Sequence, residues 1–98
     1  MAAVDAQLLE EIGAELGYIE SDFERVENRI RAYALNGMAK LNDAAGAEID
    51  YKSDLIARAL LVDYCRYANS HATEQFEQNY LGELVALNDR YAVEAATD

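Results

Sequence analysis

Apolar residues recur at helical spacing in the first third of the chain. From residue 5 to residue 16, leucines and isoleucines fall three or four positions apart, on one face of a helix. Asp5 is suited to cap this helix and Gly17 to end it. A second stripe predicts a second amphipathic helix. Its apolar positions are Phe23, Val26, Ile30, Tyr33 and Ala34.

Polar residues and glycine predict the limits of the second helix. Ser21 and Glu24 have the spacing of a capping box, in which each side chain bonds the other residue's backbone N–H. Asn36 and Gly37 favour the left-handed conformation that ends helices, so we expect the helix to stop there. Residues 42–51 are expected to form a mobile connection, because their short sequence of small residues has no strong structural preference.

The third predicted helix, over residues 54–69, is apolar on nearly every side. A helix with apolar residues all round belongs in the centre of a bundle or between subunits, and we expect Ile49 and Tyr51 to tuck beneath it. Its charged residues are expected to pair along the helix, as Asp54 does with Arg58.

The last predicted helix follows an interruption at residues 69–71, starts at Ser70 or Thr73, and runs to about residue 92. Its main apolar stripe is expected to pack on the third helix. That stripe is Phe76, Tyr80, Leu84, Leu87 and Tyr91. Leu81 and Val85 project to nearly the opposite side, which makes them candidates for a contact between subunits.

These patterns predict an all-α fold, a small bundle of about four main helices. We expect a single domain over residues 1–98, with flexible ends at 1–4 and 93–98. The composition agrees, because the chain is 52% hydrophobic and 28% charged and contains no proline. A chain of this length buries only about two-thirds of its unfolded surface, so it has room for one modest core.

The charge balance disfavours nucleic acid and membrane surfaces as partners. The chain contains eight Lys and Arg residues and 19 Asp and Glu residues, which gives a net charge of −11. We interpret most of this acid as a solvated face, and the sharper alternative is a surface that must not adhere to DNA. No apolar stretch reaches about 18 residues and no signal-peptide pattern is present, so we expect neither a membrane span nor a targeting segment.

Candidate catalytic and metal-binding residues are sparse. Cys65 lies in an apolar run, where a thiol usually acts as a small hydrophobe, and His71 is expected to cap a helix end. The chain has no spacing typical of a zinc, calcium or phosphate site. We therefore expect no enzymatic activity, no cofactor and no metal.

The order of these segments resembles the small head-tail connector proteins of tailed bacteriophages. The likeness covers residues 8–91 and rests on layout and apolar spacing. Its elements are a short acidic helix, a capped amphipathic helix ending at a glycine, a polar connection, an apolar helix opening with Asp54-Leu55-Ile56-Ala57-Arg58, and a final Phe76-x-x-x-Tyr80-x-x-x-Leu84-x-x-Leu87 helix.

The resemblance implies a virion protein made in the bacterial cytoplasm that assembles into a roughly twelve-fold ring under the portal protein. Such a ring extends the DNA channel, passes duplex DNA without specific binding, and docks a stopper or tail-completion protein. Tyr91 and Val93 lie where the family contacts the portal. The core positions that the pattern and the resemblance together predict are Phe23, Ile30, Leu55, Ile56, Ala59, Leu60, Phe76, Tyr80, Leu84 and Leu87.

Two other functions remain open on the sequence alone. One is a small acidic helical adaptor or regulator that binds a single protein partner in the cytoplasm. The other is an acidic DNA mimic, which needs carboxylates spaced along an extended face, whereas here they are concentrated in the first 27 residues. Self-association separates the first alternative from a ring-forming protein.

Overall fold

The computed structural model describes residues 4–97, and in that part of the chain the regular structure is entirely helical. Five helices follow in order: α1 (Ala6–Glu15), α2 (Glu20–Ala45), α3 (Leu55–Asn69), α4 (Thr73–Asn79) and α5 (Leu81–Thr97). The predicted all-α bundle is confirmed.

The first and last described residues take part in the helical fold. Val4 is buried in the core, and α5 continues five residues beyond the predicted end of the last helix, through Thr97. The flexibility predicted for residues 1–4 and 93–98 stays a prediction. Residues 1–3 and 98 lie outside the described residues.

Helix α2 is the centre of the bundle. The helices α1, α3 and α5 each pack against it. At 1.5 Å per residue its 26 residues extend for about 39 Å, which is most of the 46 Å length of the molecule. The prediction that α3 is the central helix is wrong, since α1, α3 and α5 all pack against α2, and α3 keeps an open side at Leu55 and Ile56. The buried residues of α2 recur every three or four positions: Val26, Ile30, Ala34, Gly37, Met38, Leu41 and Ala45.

Gly37 lies inside α2 and allows α3 to approach closely, so the predicted helix end at Asn36 and Gly37 is wrong. A Cβ atom added to Gly37 would lie 2.7 Å from Cδ1 of both Leu61 and Tyr64 on α3. The helix ends instead at Gly46, which adopts the left-handed conformation with φ 72°.

The predicted capping box at the start of α2 does not form. The helix begins at Glu20, one residue before Ser21, and its N-cap residue, Ile19, makes no side-chain hydrogen bond. Capping is as predicted at α1, where the Asp5 carboxylate accepts from the backbone N–H of Leu8 at 2.7 Å. Gly17, just after α1, has a φ of 87°, as its predicted role requires.

The connection between α2 and α3 is tied to the core, contrary to the mobile connection predicted over residues 42–51. Residues 42–45 belong to α2. The side-chain oxygen of Asn42 accepts from the hydroxyl of Tyr51 at 2.8 Å and from the backbone N–H of Ile49 at 3.3 Å. Ile49 and Tyr51 are buried, as predicted, and they hold the backbone on either side of the turn.

The predicted last helix is divided into α4 and α5 at Tyr80. Phe76 on α4 is fully buried and stacks on the Tyr80 ring with their centroids 4.6 Å apart. Tyr64 and Tyr67 on α3 meet the Phe76 ring edge-on, at 5.3 and 5.7 Å. This aromatic cluster anchors α4 on α3 and sets the point from which α5 departs.

We expect Gly37→Ala to destabilise the fold although alanine is the better helix former. Overpacking a core costs about 1–3 kcal/mol, and the helix-propensity gain is about 1 kcal/mol. With two contacts at 2.7 Å, the overpacking dominates, and we expect a net loss of up to about 2 kcal/mol in the free energy of unfolding, measured with urea.

The matched control is Gly82→Ala, in α5, where an added Cβ meets nothing within 4 Å. This change should leave the free energy of unfolding unchanged or raise it by up to about 1 kcal/mol. If Gly37→Ala were as stable as Gly82→Ala, the close approach of α3 to Gly37 would be wrong.

Candidate protein-binding surface

An apolar groove lies between α3 and α5. Both helices pack on α2, and the space left between them is an open groove of about 640 Å³. The residues that line the groove belong to α3, to α5 and to Tyr80 between α4 and α5. The apolar residues that line it are Leu55, Ile56, Ala59, Leu60, Ala86 and Leu87.

The α3 side of the groove contains residues that we predicted to lie in the core. Leu55 and Ile56 are 69% and 65% exposed, and Ala59 is exposed as well, so their predicted core packing is wrong. Leu60 is buried, as predicted. Helix α3 is apolar on nearly all sides, and its contacts with α1, α2 and α4 leave the side of Leu55, Ile56 and Ala59 exposed.

The other predicted core residues do pack in the core. Ile30, Phe76 and Leu87 are buried, and Phe23, Tyr80 and Leu84 are partly buried against them. The stripe of the last predicted helix is therefore buried, but α4 and α5 share it, and only α4 packs on α3 as predicted, whereas α5 packs on α2.

Three polar residues close one end of the groove and tie α5 to the start of α3. The Asp54 carboxylate accepts from the backbone N–H of Ala57 at 3.0 Å, which caps α3. It also accepts from the Tyr91 hydroxyl at 2.5 Å and pairs with the Arg90 guanidinium at 3.0 Å. One carboxylate therefore both caps α3 and holds α5 in place.

The predicted pair of Asp54 with Arg58 is replaced by a longer-range one. Arg58 pairs with Glu11 of α1 at 2.7 Å and donates to the carbonyl oxygen of Tyr51 at 3.1 Å. At the other end of the groove, Asp63 accepts from the Tyr80 hydroxyl at 3.1 Å. Both ends of the groove are therefore framed by contacts between helices.

Protonation of the Asp54 cluster follows from its contacts. Burial raises the pKa of Asp54, but hydrogen bonds from Tyr91, Ala57 and Arg90 outweigh burial, so its pKa lies below the ordinary value. Burial and the hydrogen bond to Asp54 raise the pKa of Tyr91 to about 12. The carboxylate and the neutral phenol therefore coexist over a wide pH range.

The opposite flank of α5 has its own exposed apolar residues. Leu81 and Val85, which we call the α5 ridge, are 61% and 53% exposed. Leu81 and the groove residue Arg90 are nine positions apart, so their side chains project about 180° from each other. Helix α5 therefore presents the groove on one flank and the α5 ridge on the other.

The two candidate portal contacts have different surroundings. Val93 is exposed on α5, whereas Tyr91 is partly buried and its hydroxyl is bonded to Asp54. The contact of either residue with a portal protein stays a prediction.

The described residues contain little reactive chemistry. Among residues 4–97, no group of three or more His, Cys, Asp and Glu side chains is placed to hold a metal ion. Burial raises the pKa of the Cys65 thiol to about 12, which suppresses its nucleophilic thiolate form. His71 is an exposed turn residue with φ 57°. None of the described helices has the length and apolar character needed to cross a bilayer.

Comparisons of the chain with protein-family models, with curated proteins and with solved structures find no match. What the protein binds is therefore inferred from its surfaces and from the order of its segments. The polar residues that frame the groove, including Glu83 and Arg90, were absent from the sequence-based candidates. Asp54 and Arg90 are 36 positions apart, and nothing in the local sequence of either residue indicates the other.

We expect Asp54→Asn to lower the free energy of unfolding by about 1–3 kcal/mol at neutral pH, because charged hydrogen bonds are lost. The folded pKa of Asp54 lies below the unfolded value of about 3.9. The contribution of the ionised Asp54 carboxylate to the free energy of unfolding is therefore complete above the unfolded pKa and is lost as the pH falls through the folded pKa. Urea unfolding in neutral and acidic buffers measures the difference.

The control for this experiment is Glu74→Gln, which removes an exposed carboxylate on the short helix α4. It should leave the free energy of unfolding within about 0.5 kcal/mol of the wild-type value. An Asp54→Asn protein that kept wild-type stability at neutral pH would show that this cluster does not hold α5 on α3.

Proposed function

We propose that the protein is a structural, non-enzymatic subunit that assembles with its own copies into a ring at the head-tail junction of a tailed phage virion. The observation that carries this proposal is the pair of unlike apolar surfaces on the two flanks of α5. If the α5 ridge of one subunit docks in the groove of the next, the contact is head-to-tail and repeats from copy to copy. Such a contact closes into a ring when its rotation permits.

The α5 ridge and the groove suit each other in size and polarity. Leu81 and Val85 are branched apolar side chains, and a groove of about 640 Å³ has room for both. Ala59 and Ala86 on the groove walls are small, so the backbone of a neighbouring helix can come close. Docking removes the exposed Leu55 and Ile56 from water, at roughly 25 cal/mol per Å² of apolar surface.

The modest area of this contact favours assembly on a template. A few apolar side chains give a weak contact between two free subunits, because association costs several kcal/mol in lost freedom of motion. A portal protein that holds subunits side by side raises their effective concentration and removes part of that cost. The free protein is then expected to be monomeric and the ring to form on the portal.

The distribution of charge is compatible with a channel for duplex DNA. Six of the eight Lys and Arg side chains lie in ion pairs with carboxylates. The chain therefore offers little free positive charge to a phosphate backbone, and its net charge of −11 repels one. DNA can slide past such a surface without being held.

The groove alone also supports the alternative of an adaptor that binds one partner helix. An amphipathic helix lying in an apolar groove is a common mode of peptide recognition. The two functions differ in the α5 ridge, which a ring requires and a simple groove-binding adaptor does not.

We expect Leu81→Asp with Val85→Asp to leave the monomer folded and to abolish ring formation on portal-bearing heads. Both residues are exposed, so the fold tolerates the change, while a desolvated contact does not tolerate unpaired charges. Electron microscopy of heads measures ring occupancy, and thermal melting reports the fold. The matched control is Gln75→Asp with Gln78→Asp, which adds the same charge on exposed positions of α4.

Mixing two defective proteins tests the head-to-tail contact itself. The ridge variant above keeps an intact groove, and a groove variant, Ala59→Arg with Ala86→Arg, keeps an intact ridge. Each should fail to assemble alone, while the mixture should form heterodimers in sedimentation velocity at high concentration, since one intact contact remains. Rings formed by the ridge variant would refute the proposed function, and loss of folding would place these residues in the core.

A further inference from the structure

A second apolar hollow lies between α1 and the first turns of α2, and it shares no residue with the groove. Its volume is about 550 Å³, within the range of about 300–1,000 Å³ typical of binding sites. Gly13 and Ala14 of α1 and Phe23 of α2 form its apolar floor. The connecting residues Tyr18 and Ile19 close one side.

Small residues on α1 keep this hollow open. A Cβ atom added to Gly13 would lie 3.3 Å from the ring of Phe23, so a larger residue there would press on the aromatic wall. Ala14 is the next residue and adds only a methyl group. Ile19 is 66% exposed beside the hollow, an unfavourable position for a branched apolar side chain in water. The hollow therefore has an apolar floor and an apolar edge.

The rim of the hollow is formed by four glutamates, at positions 10, 20, 24 and 27. Glu27 is paired with Arg31 at 3.2 Å. Glu10, Glu20 and Glu24 have no hydrogen bond or ion pair with any other residue in the described range 4–97. An apolar floor beside three glutamates without partners is complementary to a ligand that is apolar on one side and cationic at its edges.

Arg31 pairs with one glutamate of the rim, and two other nearby basic residues have partners outside the four glutamates. Arg25 pairs with Asp22 at 3.4 Å, and Arg29 donates to the Tyr18 hydroxyl at 3.3 Å. The cationic groups that complement the rim therefore have to come from another molecule.

We propose that this hollow docks a basic amphipathic helix of a partner protein, with an apolar side chain on the floor and Lys or Arg side chains against the rim. A second copy of the chain is a poor occupant, because it has a net charge of −11 and six of its eight basic residues are in ion pairs. Nucleic acid is repelled by the same rim. The proposal is independent of the ring contact, which uses α3 and α5.

The probe for this site is a synthetic helical peptide of Leu and Lys at amphipathic spacing, compared with the same peptide carrying Glu for Lys. Titration into the isotope-labelled protein should shift the backbone amide signals of residues 10–27 with the Lys peptide only. Glu20→Gln with Glu24→Gln should weaken binding at least about tenfold, because the close charge pairs are lost.

Two controls separate the hollow from general attraction to an acidic protein. Glu74→Gln with Asp89→Asn removes the same charge from exposed positions on α4 and α5 and should change the affinity less than about twofold at physiological ionic strength. Ala14→Phe fills the hollow without changing the charge and should also weaken binding at least about tenfold. Ile19→Ser, at an exposed position, tests the apolar edge if Ala14→Phe fails to fold.

Several outcomes would overturn the proposal. If Glu20→Gln with Glu24→Gln weakened peptide binding no more than Glu74→Gln with Asp89→Asn, the peptide would be attracted by net charge alone. Signal changes on α3 and α5 would assign the peptide to the groove. Unchanged affinity in a folded Ala14→Phe or Ile19→Ser protein would exclude the apolar floor or edge. Self-association that Ala14→Phe removes would make a second copy the occupant.

Discussion

The close contact between α2 and α3 at Gly37 is the constraint on which the rest of the structure depends. With no side chain at this point, α3 lies directly against the middle of the longest helix. Leu61 and Tyr64 occupy the space that a Cβ atom would take. One side of α3 is thereby committed to α2, and α5 packs on another part of α2. The groove between α3 and α5 is the consequence, because both helices are held by α2 and neither covers the other.

Short-range features of the fold were predictable from the sequence, and long-range ones were not. The cap at Asp5 and the stripe through Phe76 and Leu87 depend on residues a few positions apart, and both predictions were right. Gly37 was misread because a glycine ends a helix or admits a neighbouring helix equally well. The deciding contact is with Leu61, 24 positions away, and the residues next to Gly37 in the sequence do not indicate it.

The candidate surface was partly predictable for the same reason. Apolar residues in excess of one core were visible in the sequence, and the exposure of Leu81 and Val85 agrees with their assignment outside the main stripe. The sequence did not indicate which residues of α3 stay exposed, since this helix is apolar nearly all round and several of its faces are suited to burial. Leu55 and Ile56 are exposed because α5 is held at the Asp54 carboxylate and leaves this side of α3 uncovered.

The unpaired acidic residues and the apolar groove lie on different parts of the molecule, and this separation affects which surfaces of two copies can come into contact. Copies of a chain with a net charge of −11 repel one another, most strongly where acids lie close together without partners. The unpaired glutamates of the α1–α2 hollow are such a place, whereas the groove is mainly apolar and its Arg90 and Asp63 are already in ion pairs. The contact that we propose between the α5 ridge and the groove therefore brings copies together through a surface with fewer unpaired carboxylates than the hollow. The acidic hollow matches the charge of the basic partner helix that we propose for it.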